Sequence, residues 1–142
     1  MRYLTFALTK GRLAKKTMDL LEQLGITCEE IQDKDSRKLI FVNEELKLKF
    51  FLAKGPDVPT YVEYGAADIG VVGKDTILEE GRSLYEVLNL NFGKCRMCVA
   101  APDVFRDNPE KTLRVATKFV NIARAHYAKK GRDIEICKLN GS

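Results

Sequence analysis

Lysine side chains stand at the ends of separate apolar runs in this 142-residue chain. In an open α/β sheet, ligands gather at the carboxyl ends of the strands. Lysines placed there by several strands would face one crevice, which would suit a polyanion, most simply a set of phosphate groups. The four runs, which we interpret as buried strands, are LTFALTK at Leu4–Lys10, LKFFLAK at Leu48–Lys54, IGVVGK at Ile69–Lys74 and RVATK at Arg114–Lys118.

The first run continues into a turn that combines two cations with a glycine, Lys10-Gly11-Arg12. A predicted helix follows this turn, and the free N–H groups and dipole of a helix amino terminus attract anions. Gly11 would also allow a ligand to approach the backbone closely. A phosphate site is therefore the favoured interpretation. A solvated turn, in which the glycine only eases the geometry, is the alternative.

The segment Gly70–Asp75 invites comparison with nucleotide-binding loops and does not match them. A Walker loop ending at Gly73 and Lys74 would need glycine in place of Asp68 and serine or threonine in place of Asp75. What remains is a strand, a turn and a helix that carry one cation and one carboxylate. Lys74 could bind a phosphate, and Asp75 could accept hydrogen bonds from an adenine or a ribose. Asp75 could equally cap the helix.

Thr117 and Lys118 end the fourth run just before another predicted helix. The hydroxyl of Thr117 could cap that helix or hold a phosphate oxygen, and neither interpretation excludes the other.

Redox, metal and hydrolase chemistry are not favoured by the remaining reactive residues. Cys95 and Cys98 have a zinc-like spacing, but residues i and i+3 of a strand point to opposite faces. The single histidine, His126, lies in a predicted helix without a serine or cysteine partner motif. We predict no metal site and assign no catalytic residue. All four cysteines are interpreted as small buried hydrophobic residues, namely Cys28, Cys95, Cys98 and Cys137.

Composition indicates an ordinary globular domain, with 45% hydrophobic and 31% charged residues. The net charge of +4 is spread along the chain without a basic stripe, so an RNA-binding module is a minor alternative. No apolar stretch approaches the roughly 18 residues of a membrane span, and no signal-peptide pattern is seen. We therefore expect a cytoplasmic protein.

Strand and helix patterns alternate, which predicts βαβ units and a largely parallel sheet. A glycine-containing turn near residues 89–94 predicts two lobes, 1–90 and 91–142. The second lobe is expected to be incomplete, because the sequence stops after a strand where a parallel sheet wants a further crossover. The predicted strands are 3–8, 39–42, 46–52, 68–72 (buried on both faces), 83–90, 94–101, 113–117 and 133–138. The first predicted helix begins near residue 13, and three further helices are predicted at 57–64, 74–80 and 119–130.

Taken in order, these residues resemble the catalytic subunit of ATP phosphoribosyltransferase, the first enzyme of histidine biosynthesis. The resemblance covers essentially the whole chain and is far more specific than any short motif. It is carried by FALTKGRL at Phe6–Leu13, DVPTYVEYGAADIGVVGKD at Asp57–Asp75, LNFGKCRMCVAAP at Leu90–Pro102, RVATKFVNIAR at Arg114–Arg124 and EICKLNGS at Glu135–Ser142.

The resemblance implies a two-lobed α/β fold similar to type II periplasmic binding proteins, with the active site between the lobes. It implies transfer of a phosphoribosyl group from phosphoribosyl pyrophosphate to N1 of ATP, giving phosphoribosyl-ATP and pyrophosphate. Mg²⁺ would accompany the substrate phosphates. The short form of the family further implies a regulatory subunit related to histidyl-tRNA synthetase and a homo- or hetero-oligomer.

Position by position, the resemblance also implies roles for the residues at the strand ends. Lys10 and Arg12 would meet phosphates, and Lys54 would supply a cation where relatives usually carry arginine. Asp75 would contact adenosine, with Lys74 beside it. Thr117 and Lys118 would border the part of the cleft that the second lobe forms.

One departure from the family concerns the segment after Asn140-Gly141-Ser142. In the family, the residues that follow supply an acidic residue and then a loop that binds the ribose 5-phosphate. This sequence stops before both, so we expect the 142-residue polypeptide alone not to catalyse phosphoribosyl transfer. A non-catalytic lobe that binds nucleotides or other phosphorylated metabolites is the alternative function, because fold does not settle function.

Overall fold

A computed structural model describes residues 2–28 and 37–141 of the chain. Contacts divide the chain into two compact units, which we call unit 1 (Met1–Gly93) and unit 2 (Lys94–Ser142). Unit 1 contains β1 (Leu4–Thr9), α1 (Arg12–Gln23), β2 (Ile40–Asn43), β3 (Leu48–Ala53), a 3₁₀ turn (Gly55–Asp57), α2 (Val58–Glu63), β4 (Ile69–Val71) and α3 (Lys74–Glu80). Unit 2 contains β5 (Leu113–Thr117), α4 (Val120–Lys129) and β6 (Ile134–Lys138).

The sheet of unit 1 has four strands in the order β2-β3-β1-β4. Strands β3, β1 and β4 run parallel, and β2 pairs with β3 in the antiparallel sense. Thr9 is aligned with Ala53, and Leu8 with Val71, so the three parallel strands end together at one edge. This arrangement matches the predicted α/β class and largely parallel sheet.

Both faces of this sheet are covered, because consecutive side chains of a strand point to opposite faces. Leu8 and Phe50 are fully buried in a cluster that includes Met18 of α1, and the rings of Phe6 and Phe50 stack 5.1 Å apart. Ala7, the neighbour of Leu8, lies in a second cluster with Val58 of α2. The apolar runs thus form strands packed between helices.

Gly70 of β4 allows α2 to lie directly on the sheet. A methyl group at this position would lie 2.8 Å from Val58 Cγ1 and 2.9 Å from Val62 Cγ2. We expect Gly70→Ala to lower the free energy of unfolding by about 1–3 kcal/mol, because the helix or the strand must shift. Urea unfolding followed by circular dichroism measures this difference.

Gly55→Ala is the matched control for that substitution. Its methyl group would lie 3.5 Å from Thr9 Cγ2 and 3.9 Å from Thr76 Oγ1, which are ordinary contact distances. Equal losses of stability in the two variants would contradict the packing role of Gly70.

Two predicted strands, 83–90 and 94–101, are wrong. Neither segment is assigned to a strand, although both are rich in residues with high strand propensity. Strand propensity favours an extended backbone, but a strand also needs a neighbour for its N–H and C=O groups. Neither segment pairs with a strand among the described residues. Their side chains are correspondingly open to solvent, with Tyr85 97%, Val87 89% and Val99 68% exposed.

Burial was also overestimated at β4 and at three cysteines. Among the described residues, β4 is the edge strand of its sheet, and Ile69 is 40% exposed, so predicted burial on both faces is wrong. Cys28 is buried as predicted, whereas Cys95, Cys98 and Cys137 are exposed. The first two of these lie on the uncovered segment 94–101. Cys137 lies on β6, whose two-stranded sheet presents alternate residues to solvent.

The other predicted elements are present, with ends that agree to within one or two residues. Among the residues that the structure describes, no helix combines the length and the apolar character needed to cross a bilayer.

Unit 2 is built on the parallel pair β5 and β6, with α4 between them in the chain. The guanidinium group of Arg132 organises the segment that leads into β5. It donates hydrogen bonds to the carbonyl of Lys111 at 2.5 Å, the carbonyl of Asn108 at 3.0 Å and the carboxylate of Asp107 at 2.6 Å. This contact network holds the otherwise exposed connection to the turn before β6.

Candidate functional site

Three of the predicted site lysines follow the three parallel strands of unit 1. Lys10 comes directly after β1 and Lys54 directly after β3, whereas Lys74 begins α3 shortly after β4. The backbone N–H of Lys10 donates to the carbonyl of Ala53 at 3.0 Å, so the first two lysines leave adjacent strands at the same level. All three lysines are exposed. Unit 1 therefore presents three ammonium-bearing side chains from one edge of its sheet.

The backbone beneath these lysines is closely packed by small side chains. The hydroxyl of Thr9 donates to the carbonyl of Val71 at 3.1 Å, which ties β1 to β4 at this edge. A methyl group on Gly55 would lie 3.5 Å from Thr9 Cγ2 and 3.9 Å from Thr76 Oγ1 on α3, so the backbone at Gly55 lies near both side chains. The segments that follow the three strands thus contact one another and form one continuous surface.

The turn Lys10-Gly11-Arg12 has the geometry that only glycine adopts at low cost. Gly11 has φ 104° and ψ −140° and is the residue that precedes the first turn of α1. The first turn of α1 contains no acidic residue, so its free N–H groups face no carboxylate of their own turn. Arg12 is the first residue of the helix and is exposed. This geometry is compatible with an anion bound at the turn.

Asp75 lies inside the first turn of α3, and the predicted alternative that it caps this helix is wrong. The capping position is held by Gly73, which has no side chain to donate or accept. The Oδ1 atom of Asp75 instead accepts a hydrogen bond from the backbone N–H of Thr76 at 2.9 Å. A methyl group on Gly73 would lie 2.3 Å from that same oxygen, so the glycine makes room for the carboxylate. The second carboxylate oxygen can accept a hydrogen bond from a ribose hydroxyl or an adenine amino group.

Lys74 differs from the other site cations because it already has a partner. Its ammonium group forms an ion pair with the carboxylate of Glu86, and the two side chains are 59% and 42% exposed. Within residues 2–28 and 37–141, no ion pair is recorded for Lys10, Arg12 or Lys54. In the described part of the chain, these three cations therefore have no carboxylate partner that an anionic ligand would need to displace.

Thr117 and Lys118 line a shallow, open cavity of about 360 Å³ in unit 2, at the carboxyl ends of β5 and β6. The hydroxyl of Thr117 accepts a hydrogen bond from the backbone N–H of Phe119 at 3.0 Å. Because α4 begins at Val120, this bond fixes the turn before the helix and is not a helix cap. The ammonium group of Lys118 lies 4.9 Å from the centre of the Phe119 ring.

Several residues that line this cavity were not predicted from the sequence. They follow the end of β6 or begin the turn into α4, namely Phe119, Leu139, Asn140 and Gly141. The register that places Thr117 beside Lys138 carries the segment after β6 to the same edge. Asn140 also lies just after a strand end, and this position is the signal in the sequence that could have indicated it, although its side chain is an amide and not a cation.

The groups near β1 whose pKa values are shifted lie at the amino end of the strand, away from Lys10. The hydroxyl of Tyr3 donates to the carboxylate of Glu44, which raises the pKa of Tyr3 and lowers the pKa of Glu44. The same carboxylate raises the pKa of Lys47. This cluster stabilises the turn between β2 and β3 and leaves the strand ends to carry the candidate site.

Comparisons with known proteins agree on one family. The profile of the HisG family, ATP phosphoribosyltransferase, matches residues 54–142. An ATP phosphoribosyltransferase from Lachnoclostridium phytofermentans is 66% identical, over 100% of this chain and 67% of the relative. One from Lachnospira eligens is 62% identical, over 100% of this chain and 67% of that relative.

A solved structure agrees with these sequence relatives. The ATP phosphoribosyl transferase (HisG:HisZ) complex from Thermotoga maritima contains a chain with a TM-score of 0.77 and 33% identity. The match covers 98% of this chain and 64% of that chain. This likeness confirms the predicted fold class. The chain spans about two thirds of the length of the relatives that it matches.

Proposed function

Because the chain belongs to the ATP phosphoribosyltransferase family, we propose that its strand-end residues bind the substrates of phosphoribosyl transfer to ATP. The reaction moves a phosphoribosyl group from phosphoribosyl pyrophosphate to N1 of ATP and opens histidine biosynthesis. The observation that carries the proposal is the placement of three lysines at the ends of three parallel strands. We also propose that the chain divides into two lobes after residue 90.

The chemistry asks the protein for charge and position rather than for a nucleophile. N1 of the adenine forms a bond to the anomeric carbon of the ribose, and the bond from that carbon to pyrophosphate breaks. The electron pair of the broken bond leaves with the pyrophosphate, while the ribose passes through a cationic, oxocarbenium-like state. Lys10, Arg12 and Lys54 stabilise the negative charge that grows on the departing group. Holding both substrates in line supplies much of the remaining acceleration.

The other proposed residues position the nucleotide and the second substrate. Asp75 accepts a hydrogen bond from the adenosine, and Lys74 binds a phosphate beside it. Gly11 and Gly73 let the ligand approach the backbone closely. In unit 2, the hydroxyl of Thr117 and the ammonium group of Lys118 bind phosphate oxygens in the cavity that these two residues line.

The donor set fits phosphate groups better than a metal ion held by the protein. The proposed side chains are mainly cations, which repel a bare Mg²⁺, and the carboxylate among them already accepts a hydrogen bond from Thr76. Mg²⁺ prefers one or two carboxylates together with substrate phosphates. We therefore propose that Mg²⁺ would accompany the substrate phosphates, where it would neutralise part of their charge. The cationic residues bind phosphate oxygens.

A second subunit and a cytoplasmic location complete the proposal. The similar structure from Thermotoga maritima is a complex of HisG with HisZ. This likeness supports a regulatory partner subunit for the present chain. The sequence resemblance implies that this partner subunit is related to histidyl-tRNA synthetase. We propose that the chain works in an oligomer, either with copies of itself or with this regulatory partner.

A chimeric enzyme tests the proposed function. Residues 1–142 alone are expected to bind ATP and to release no pyrophosphate from ATP and phosphoribosyl pyrophosphate. Joined to the part of the 66%-identical Lachnoclostridium phytofermentans relative that they do not cover, they are expected to form phosphoribosyl-ATP. A coupled assay for pyrophosphate measures both reactions. A folded chimera that binds ATP without turnover would favour the non-catalytic nucleotide-binding alternative instead.

A further inference from the structure

We propose that Glu86 is a positioning residue that competes with anionic ligands for the ammonium group of Lys74. The inference rests on the proposed function, because it requires Lys74 to meet a phosphate. Glu86 lies twelve positions after Lys74 and in none of the strand-end runs, and it forms an ion pair with that lysine.

The segment around Glu86 packs on the rest of unit 1 through its side chains. Leu84, Tyr85 and Glu86 line a small cavity of about 80 Å³ together with Val72 and Ile77. The Tyr85 side chain is nevertheless 97% exposed, so its contact there is slight. Because the segment pairs with no strand in the described part of the chain, its hold on unit 1 relies on such side-chain contacts. The ion pair is therefore one of the contacts that hold this segment in place.

A phosphate and the Glu86 carboxylate cannot both use Lys74 fully. A lysine ammonium group is a compact charge with three donors. A phosphate that approaches it also approaches the carboxylate, and the two negative charges repel each other. The ligand must therefore displace Glu86 or bind less tightly beside it. Since both side chains are about half exposed, the competition should change affinity only about two- to fivefold.

Displacement of Glu86 would link ligand binding to the segment that carries it. When a phosphate takes Lys74, the carboxylate loses its partner, and residues 83–89 lose a polar attachment to α3. When the ligand leaves, the ion pair forms again. Glu86 thus sets the resting position of the lysine side chain and is replaced by the ligand in the bound state.

The experiment is a set of titrations of the 142-residue chain with ATP and with inorganic tripolyphosphate. Isothermal titration calorimetry at about 0.15 M ionic strength, where the Debye length is about 8 Å, gives the affinities. Glu86→Gln keeps the shape of the side chain and removes its charge, and it should tighten binding of both probes about two- to fivefold. The double variant with Lys74→Ala should bind no more tightly than Lys74→Ala alone, because the gain acts through that lysine.

Glu44→Gln is the matched control, because it removes one negative charge at the turn between β2 and β3. It should change neither affinity by more than about 1.5-fold, since exposed charges far from the ligand are screened. Thermal unfolding followed by circular dichroism verifies that each variant is folded.

The outcomes separate this inference from the proposed function. If Lys74→Ala weakens binding and Glu86→Gln leaves it unchanged or weaker, competition by Glu86 is rejected while the site stands. An equal gain with Glu44→Gln would also reject it, since the effect would then be one of net charge. If neither probe binds, or Lys10→Ala and Lys74→Ala leave affinity unchanged, the proposed site itself is wrong.

Discussion

Replacing Lys10 with alanine in the chimeric enzyme is expected to lower kcat/KM about 10- to 150-fold. Lys10 leaves β1 at the sheet edge where the strands carrying the other lysines also end. The expected loss corresponds to the ~1.5–3 kcal/mol of a hydrogen bond to a charged group. A similar loss is expected for Asp75→Ala, whose carboxylate is held in the first turn of α3. Formation of phosphoribosyl-ATP, followed by absorbance, measures both variants.

The matched control for Lys10→Ala is Lys129→Ala, which removes the same charge from the exposed last turn of α4. It should leave kcat/KM within about twofold, because surface charges away from the ligand are screened. Thermal midpoints close to that of the parent enzyme would show that no variant loses activity by unfolding. Normal kinetics in both Lys10→Ala and Asp75→Ala would reject the site assignment.

Replacing Phe50 with alanine is expected to lower the free energy of unfolding of unit 1 by about 3–5 kcal/mol. Phe50 is fully buried on β3, stacks on the ring of Phe6 and shares a cluster with Leu8. Removal of the ring loses its burial and leaves a cavity between the sheet and α1 that the surrounding strands cannot fill. Urea unfolding followed by circular dichroism measures the change.

Leu24→Ala provides the comparison for that variant, because Leu24 is 70% exposed just after α1. Its expected loss is below about 1 kcal/mol, as for most surface substitutions. Losses of similar size in the two variants would contradict the placement of Phe50 at the centre of the core.

The strands that position the site could be predicted because each is a mostly apolar run that a lysine follows within three residues. Runs such as Leu48–Ala53 pack between helices, with Phe50 fully buried and the other residues half-buried, so local composition and tertiary environment agree. The segments 83–90 and 94–101 have similar composition and do not form strands. Their fate depends on whether another strand lies beside them, and no local pattern encodes that partner.

The candidate site shows the same division between local and distant information. Lys10, Lys54 and Lys74 could be predicted because each follows its own strand, and parallel strands bring their ends to one edge. Glu86 could not, because an ion pair between a helix and a segment without regular structure has no sequence periodicity. Asn140 was missed because cations were favoured over amides.

The opposite orientations of Ala7 and Leu8 have a consequence for insertions and deletions in β1. A slip of β1 by one residue would exchange its two faces and drive leucine into the narrow space that alanine fills against Val58. The same slip would displace Lys10 along the sheet by about 3.3 Å. The difference in size between Ala7 and Leu8 in the interior therefore fixes the register of β1, and this register sets where the ammonium group of Lys10 meets its ligand.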